Sequence, residues 1–338
     1  MKPGSEAELA EAIRDAAGPL RIVGGATRAP VGQGARLQTG GLTGVVLYEP
    51  AALTLVVRAG TALAEVRALL AAEGQRLPFD PPGKPGSTIG GVVATNASGP
   101  GRLLAGACRD SLIGVRFVDG AGRIIKNGGR VMKNVTGYDL VKLMAGSWGR
   151  LGVLSEVAFK LAPIAPAAAQ VGLRAELPQA VAAMIAACGQ PFDLAGAAWA
   201  NGQAVFRLEG LPGSVAYRAD GLRALLSRFG PVAEAGDWPT PPDGAGDLWR
   251  IAVRPSDCAA IAARLAVPVS VDWGGGVIHA RLPEGVDARA RIGAFSGHAT
   301  RLTAAGPGRF HPEPPAIATL TAALRARFDP RGILNPGE

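Results

Sequence analysis

Apolar side chains recur at helical spacing in several segments of the chain, and each of these segments predicts an amphipathic helix. The first follows a capping box of Ser5 and Glu8 and ends before Gly18. Thr61 is predicted to cap the second helix, which Gly74 closes. After the first helix, the predicted helices cover residues 62–73, 178–188, 220–229, 257–265 and 316–328, with a short helix that ends at residue 144.

Apolar runs bounded by turn residues predict short strands. Two of these runs flank the turn sequence at residues 119–122, which predicts a hairpin. The predicted strands cover residues 20–23, 45–48, 53–58, 112–118, 123–125, 153–161, 203–208, 248–253 and 276–282. Because helices and strands follow one another without strict βαβ alternation, we expect an α+β fold.

The amino-acid composition changes after residue 162, where Pro163 and Pro166 precede an Ala-rich segment. Such a change is typical of a domain boundary. We therefore expect a first domain at residues 1–162 and a reduced α+β domain at residues 163–305. Residues 306–338 contain the turn sequences Asp329-Pro330 and Asn335-Pro336, which indicate that the chain returns to the first domain.

Residues 79–101 are dominated by Gly, Ala and small hydroxyl side chains, and Lys84 is their one charged residue after Asp80. A helix or strand of the core would not accept so many Gly and Pro residues. The segment predicts main chain that closely approaches a polar, phosphorylated ligand, with short-reach hydrogen-bonding groups around it. A Gly/Pro linker is the alternative, although its middle is apolar.

Two further Gly-rich loops follow or precede predicted strands. The first, Gly24-Gly25-Ala26-Thr27-Arg28, is neither a Walker loop nor a Rossmann G-x-G-x-x-G motif. Its backbone N–H groups could face an anion, and a plain tight turn is an equally good interpretation. The second covers residues 146–152 and leads into the strand predicted at 153–161.

The chain has 338 residues, of which 48% are hydrophobic, so it is long enough for two domains with a real core. Nearly all of its net charge of +8 lies in residues 1–160, which favours an anionic ligand such as a dinucleotide diphosphate there. The basic residues are spaced singly and aromatic residues are few. This pattern argues against nucleic-acid binding.

Three widely spaced cysteines argue against a disulfide framework and against a zinc or iron–sulfur site built from this chain, so we predict no metal site. The chain lacks an apolar run long enough to span a membrane, and its N-terminus lacks an apolar signal region. We expect a cytoplasmic protein, with any membrane association made through partner subunits.

The glycine and turn motifs, taken in order, resemble those of the FAD-binding PCMH-type fold shared by vanillyl-alcohol oxidase, p-cresol methylhydroxylase and FAD-linked 2-hydroxyacid dehydrogenases. Within that family, the Lys133–Leu140 segment and the short middle domain are most similar to the smaller FAD-binding subunits of bacterial glycolate oxidase. The matching motifs are Gly24-Gly25-x-x-Arg28, Asp80-Pro81, residues 87–91, 94–99, 149–157 and the segment from Phe328-Asp329-Pro330 to Asn335-Pro336-Gly337.

The resemblance implies a two-subdomain FAD domain, a reduced cap domain and a C-terminal return to the FAD domain. It implies noncovalent FAD, because the first loop lacks the His that tethers flavin in some members. The residues that it assigns to FAD binding are Gly24, Gly25, Thr27, Arg28, Pro81, Ser87, Thr88, Ile89, Gly90, Gly91, Thr95, Asn96, Ser98, Gly99, Gly149, Gly152, Val153 and Asn335.

The resemblance also implies that the chain takes part in oxidising glycolate to glyoxylate, with electrons passing to a larger FAD-binding subunit and an iron–sulfur subunit. Catalytic residues stay unassigned: Arg309 with His311 and Lys133 with Tyr138 are candidate pairs, and we expect Tyr138 to be a packed aromatic. His298 and His311 are expected to be structural or exposed. Alternatives are a stand-alone oxidoreductase for another hydroxy acid or alcohol, and an assembly subunit with a vestigial FAD site. The related enolpyruvyl reductase would need a positioned acid, which has no counterpart here.

Overall fold

The computed structural model describes residues 1–28, 33–129, 137–303 and 308–336. Residues 133–136, which are half of the Lys133–Leu140 segment, and Gly337 therefore lie outside the described residues. Within the described part of the chain, no helix is both long enough and apolar enough to cross a membrane.

Helices and strands alternate irregularly along the chain. The helices are α1 Glu6–Arg14, α2 Leu63–Ala72, α3 Ile89–Ala94, α4 Arg102–Ala105, α5 Cys108–Ser111, α6 Leu140–Met144, α7 Leu177–Cys188, α8 Pro212–Leu226, α9 Cys258–Leu265, α10 Ala288–Ile292 and α11 Pro315–Phe328. The strands are β1 Leu20–Val23, β2 Ala35–Gln38, β3 Val45–Glu49, β4 Thr54–Arg58, β5 Gln75–Arg76, β6 Leu112–Val118, β7 Ile124–Gly128, β8 Val153–Lys160, β9 Ala162–Pro163, β10 Ala167–Arg174, β11 Gly196–Ala200, β12 Gln203–Gly210, β13 Val232–Ala233, β14 Asp247–Val253, β15 Val269–Asp272, β16 Val277–Leu282 and β17 Gly297–Arg301.

The first part of the chain is built around a five-stranded antiparallel sheet in the order β3-β4-β8-β6-β7. Helices α2, α3 and α6 contribute apolar side chains to one core with this sheet. A parallel pair, β1 and β2, lies beside it, and Leu9 and Ile13 of α1 pack into a smaller core with β1. The pair β1–β2 carries the first Gly-rich loop at its carboxyl end, so the layout positions that loop at the edge of the domain.

The second part of the chain forms an eight-stranded antiparallel sheet in the order β13-β10-β12-β11-β15-β16-β14-β17. One face of this sheet packs against α7, α8, α9 and α10 in a single core that includes Trp249 and Phe206. Because side chains alternate across a strand, the opposite face carries the residues between these core positions. We call the second part the cap domain, and its sheet the cap sheet.

Two sets of contacts join the parts. The C-terminal segment returns to the first sheet pair, where Leu20 forms a parallel bridge with Leu334 and its N–H donates to the carbonyl of Ile333 at 2.7 Å. On the cap side, Arg207 pairs with Asp80 of the first domain. The predicted α+β class and the C-terminal return are confirmed, whereas the domain limits at residues 162 and 305 stay predictions.

The structure corrects several local predictions. Thr61 does not cap α2: the N-cap position is Ala62, and the Thr61 hydroxyl instead accepts from the N–H of Gly44 at 2.9 Å. Helix α8 begins at Pro212, well before the predicted residue 220. The strands β10, β11, β15 and β17 were not predicted, because their Ala-rich and mixed sequences carry little period-2 signal.

The central Gly-rich segment also differs from its prediction, because part of it is a core helix. Ile89, Val92 and Val93 of α3 are completely buried. A Cβ at Gly90 would lie 2.7 Å from the Cβ of Ala59, so this glycine lets the helix pack directly on the chain that follows β4. Glycine here permits close packing of protein on protein, which the sequence pattern does not distinguish from an approach to a ligand.

Candidate cofactor site

A cleft that is open to solvent lies where β1, α3, the loop before β8 and the C-terminal return meet. Four parts of the chain that are far apart in sequence therefore form one cavity. Its lining consists of Ile22, Val23, Gly24, Gly25, Ala26, Thr27, Arg28, Thr39, Ala59, Thr88, Gly90, Gly91, Ala94, Thr95, Trp148, Gly149, Gly152, Val153, Leu154 and Asn335.

The first wall is the loop that follows β1. A Cβ at Gly25 would lie 1.6 Å from the carbonyl oxygen of Gly86, so no larger residue fits without moving the backbone. Ala26 adopts a left-handed conformation with φ of 54°, which is uncommon for a residue with a Cβ and typical of functional turns. The close packing of this loop on residues 86–88 defines the edge of the cleft.

Side chains with hydroxyl groups and one cation line this edge. The hydroxyls of Thr27 and Ser87 lie 3.0 Å apart, and Thr88 caps α3 by accepting from the N–H of Gly91 at 3.3 Å. Arg28 donates to the carbonyl of Pro82, and burial lowers the pKa of its guanidinium, which stays charged at neutral pH. Arg28 is the charged residue among the described lining residues, and none of them is acidic.

The second wall is the loop at residues 148–153. Trp148 adopts a left-handed conformation with φ of 56°, and its N–H donates to the carbonyl of Ala94 at 2.8 Å, which fixes the loop to the end of α3. A Cβ at Gly152 would lie 2.6 Å from the ring of Phe117, so this glycine is required by the packing of the wall. Trp148 lies within the Gly-rich loop predicted at residues 146–152, and it lines the cleft although it was not among the predicted binding residues.

Asn335 closes the cleft from the C-terminal side. Its Oδ1 accepts from the N–H of Ile22 at 2.7 Å, and its Nδ2 donates to the carbonyl of Trp148 at 2.8 Å. The side chain is 1% exposed. Asn335 therefore ties β1 to the second wall, and the hydrogen bonds of its side chain go to protein backbone, although the resemblance assigned this residue to FAD binding.

Twelve of the eighteen predicted binding residues line the cleft, and the other six support it from behind or lie elsewhere. Ile89 is in the core. Ser87 lies behind Thr27, and the hydroxyls of these two residues are hydrogen-bonded to each other. Ser98 accepts from the N–H of Cys108 at 2.9 Å, and Asn96 accepts from that of Arg109 at 3.0 Å. The remaining two are Pro81, whose carbonyl accepts from Arg67, and Gly99, whose carbonyl accepts from Trp273.

The candidate catalytic pairs fall in different places. The guanidinium of Arg309 is buried and lies 4.2 Å from the ring centroid of Trp148, so it is next to the cleft. His311 Nδ1 accepts from the N–H of Ala299 at 3.4 Å. Tyr138 is 89% exposed, so the expectation of a packed aromatic was wrong. Its sequence neighbours are polar turn residues, which give it no core to enter.

These features suit FAD. The described lining residues combine a cation, four hydroxyl side chains and glycine backbone without a carboxylate, which is the chemistry that binds a diphosphate. The lining also includes the apolar residues Ile22, Val153 and Leu154, which suit a flat aromatic ring. Among the lining residues that the structure describes, none is an acid or a histidine that could move a proton.

Comparison with known proteins agrees with this geometry. Residues 1–128 match the family model described as FAD binding domain. Over 344 aligned residues the chain is 34% identical to glycolate oxidase subunit GlcE of Escherichia coli K12, with 98% of this chain and 95% of that protein covered. It is 36% identical over 112 residues to mitochondrial D-lactate dehydrogenase [cytochrome] of Arabidopsis thaliana, which covers 33% of this chain and 19% of that protein.

The fold is also found in a solved structure of alkyldihydroxyacetonephosphate synthase. The TM-score is 0.72, the superposition covers 100% of this chain and 76% of that chain, and the sequence identity is 14%. This likeness confirms the predicted PCMH-type architecture, and the matches in sequence confirm FAD as the cofactor. The chain belongs to the family of FAD-binding, PCMH-type oxidoreductases that includes glycolate oxidase subunit GlcE.

Proposed function

We propose that the chain is the FAD-binding subunit of a complex that oxidises glycolate, a 2-hydroxy acid, to glyoxylate. The convergence of four distant segments on one cationic cleft, whose described lining has no carboxylate, carries the FAD part of this proposal. Similarity to GlcE over 98% of the chain supports the choice of complex and substrate.

Different residues of the cleft would hold different parts of FAD. Arg28, with Thr27 and Thr88, would hold the diphosphate, because a guanidinium and hydroxyl donors match its oxygens. The backbone of Gly152 and Val153 would face the ring. When bound, FAD supplies the acceptor for the hydride that leaves the hydroxyl-bearing carbon of the substrate. No histidine lies among the described lining residues, which supports noncovalent attachment.

We also propose that the chain works with a larger FAD-binding subunit and an iron–sulfur subunit, in the cytoplasm or at the membrane through those partners. Helix α11 supports a partner: its Ile317, Leu320 and Leu324 are 48%, 61% and 40% exposed and lie at helical spacing. No residue of this 14-residue helix is buried. A helix of that length is marginal alone in water, so burial of its apolar face against another subunit would stabilise it.

Purification tests the FAD assignment directly. The wild-type chain should carry noncovalent flavin, which acid or heat releases into the supernatant. Arg28→Met should lower the flavin content by about tenfold or more, because it leaves the diphosphate without its cation. Arg36→Met, which removes an exposed arginine of the neighbouring strand, serves as the matched control.

Anaerobic addition of glycolate then separates the roles. The proposal expects flavin bleaching in the assembled complex, with this chain co-purifying with its two partners. Bleaching of the isolated chain at the same rate as in the complex would favour a stand-alone oxidoreductase. Wild-type protein without flavin under all conditions would leave the vestigial assembly subunit and refute the proposal.

A further inference from the structure

The cap sheet presents a cluster of basic side chains on the face opposite its core. Trp249 and Ile251 of β14 point into the core, so Arg250 between them points to the other face. Arg250 lies directly opposite His279 of β16 and Thr300 of β17 in the strand register. Side chains at such positions are neighbours, with Cβ atoms about 5 Å apart.

This face is turned toward the FAD domain. His279 lies opposite Ser270, which lies opposite Ala200, and Ala200 lies opposite Gln203 of β12. Arg207 shares the face of Gln203, and its guanidinium pairs with Asp80 of the first domain. Arg250 therefore lies on the interdomain side of the sheet.

The cluster lies beside the cofactor cleft. Trp148 lines the cleft, and Arg309 stacks on its ring at 4.2 Å. His311 follows two residues later, and its charge and that of Arg250 both act on His298 of β17. On the opposite side, Arg102 of α4 stacks over Trp273 at 4.3 Å, and the Nε1–H of Trp273 donates to the Gly99 carbonyl at 3.1 Å.

Arg250 has no anion to balance it. Among the residues that the structure describes, none forms an ion pair or a hydrogen bond with its guanidinium. Burial, followed by the positive charge of Arg102, lowers the pKa of Arg250. A half-buried guanidinium among cations and imidazoles costs free energy unless an anion offsets it, because each charge disfavours the other. Arg250 keeps part of its surface accessible to solvent, so an anion can reach it.

The surroundings favour a small carboxylate. Burial and the charge of Arg250 lower the pKa of His279 to about 4, so this imidazole is neutral at pH 7 and can donate or accept a hydrogen bond. His298 is likewise shifted toward its neutral form. Of the charged groups on this face, Arg102 acts on Arg250, whereas the carboxylate of Asp272 interacts with Arg207. A guanidinium fork matches the two oxygens of a carboxylate in one plane.

We propose that Arg250, with Arg102 close by, forms an anion site on the interdomain face of the cap sheet that receives the carboxylate of the 2-hydroxy acid. This inference rests on the proposed function for the identity of the acid. It places substrate recognition in this chain, on the side of the cleft that faces the cap domain.

Calorimetric titration with oxalate tests the site. Oxalate carries carboxylates and has no C–H bond, so it occupies such a site without being oxidised, and EDTA in both solutions excludes binding through a metal ion. We expect saturable binding to the wild-type chain at pH 7 and a loss of about 30-fold or more in affinity for Arg250→Met. Arg250→Lys, which keeps the charge and loses the fork, should lose about 3- to 10-fold.

Arg254→Met is the matched control, because Arg254 is an exposed arginine just after the same strand. Its affinity should stay within about twofold of wild type. Flavin content and circular dichroism of each sample show whether a variant is folded, and Arg250→Lys carries the test if Arg250→Met is not.

Three results would overturn the site: no saturable heat with oxalate in the wild type, equal affinity in wild type and Arg250 variants, or tighter binding of inorganic phosphate than of oxalate. Oxalate binding is measured without reference to flavin. A wild-type chain that binds oxalate and lacks flavin would therefore refute the proposed function while supporting the anion site. A flavin-loaded chain that does not bind oxalate would refute the anion site while supporting the proposed function.

Discussion

Replacing Asn335 by Ala should both destabilise the chain and empty the cofactor cleft. The substitution leaves the N–H of Ile22 and the carbonyl of Trp148 without their partners at 2.7 and 2.8 Å. Each unsatisfied buried group costs about 1–3 kcal/mol, and part of this cost is recovered where water can enter from the cleft. We expect a loss of about 2–4 kcal/mol from the hydrogen bonds alone.

Backbone conformation adds a second cost, which a control can isolate. Asn335 has φ of 45°, where Ala is disfavoured by about 1–2 kcal/mol. Asn201 lies in the exposed turn between β11 and β12 with φ of 49°, and its side chain makes no hydrogen bond with the residues that the structure describes. Asn201→Ala therefore carries the backbone cost without the hydrogen bonds.

The assay combines thermal unfolding, followed by intrinsic fluorescence, with flavin content per chain. Asn335→Ala should unfold at a clearly lower temperature than Asn201→Ala and retain less than about a tenth of the flavin, because β1 and the second wall are no longer held together. Asn335→Asp should behave like Asn335→Ala, since a carboxylate oxygen would face the Trp148 carbonyl. If both Ala variants unfold at the same temperature and hold equal flavin, the role assigned to the Asn335 side chain is wrong.

Three further outcomes follow from single residues. Gly25→Ala should abolish flavin retention, because the added Cβ would lie 1.6 Å from the Gly86 carbonyl oxygen. Gly18→Ala is the control and should bind flavin normally, because no atom lies within 4 Å of a Cβ at that position. Equal flavin content in both variants would contradict the packing argument. Cys188 is the exposed one of the three cysteines, so one thiol per native chain should react with a disulfide reagent, and three should react after denaturation. The reaction should become faster as pH rises, because the thiolate is the reactive form and partial burial raises the pKa of this thiol. The pKa of His279 is lowered to about 4 in the folded chain, so the unfolded chain binds more protons below pH 6.5. The free energy of unfolding should therefore fall by up to about 3 kcal/mol as pH drops from 6.5 to 4. In urea unfolding, His279→Gln should show a flatter dependence of stability on pH. An unchanged profile in that variant would show that His279 is not the titrating group.

Several elements were predictable because their signals are local. The capping box at Ser5 appears as predicted, with its hydroxyl accepting from the N–H of Glu8 at 3.1 Å, and the hairpin of β6 and β7 closes around residues 119–122. The cap strands were harder. β10 and β11 are rich in Ala and Gly, which have weak strand preference, and they are strands because they pair with β12.

The candidate site shows the same division. Most of the residues predicted to bind FAD do line the cleft, since a resemblance in ordered motifs preserves which loops come together. The sequence did not show why glycine is required at each position of these loops. Gly25, Gly90 and Gly152 are forced by contact with Gly86, Ala59 and Phe117, and these partners are far from them in sequence.

The sequence by itself therefore determined the fold class, the cofactor and the loops that form its site, because spacing, turn chemistry and motif order are written along the chain. Only the tertiary structure decided that Asn335 bonds to Ile22 and Trp148, and that Arg250 meets His279 without an anion. Both arrangements depend on residues brought together by strand register and by the return of the C-terminus. Hydrogen bonds and charge–charge interactions act over a few ångströms, so their partners become known when distances in space replace distances along the chain.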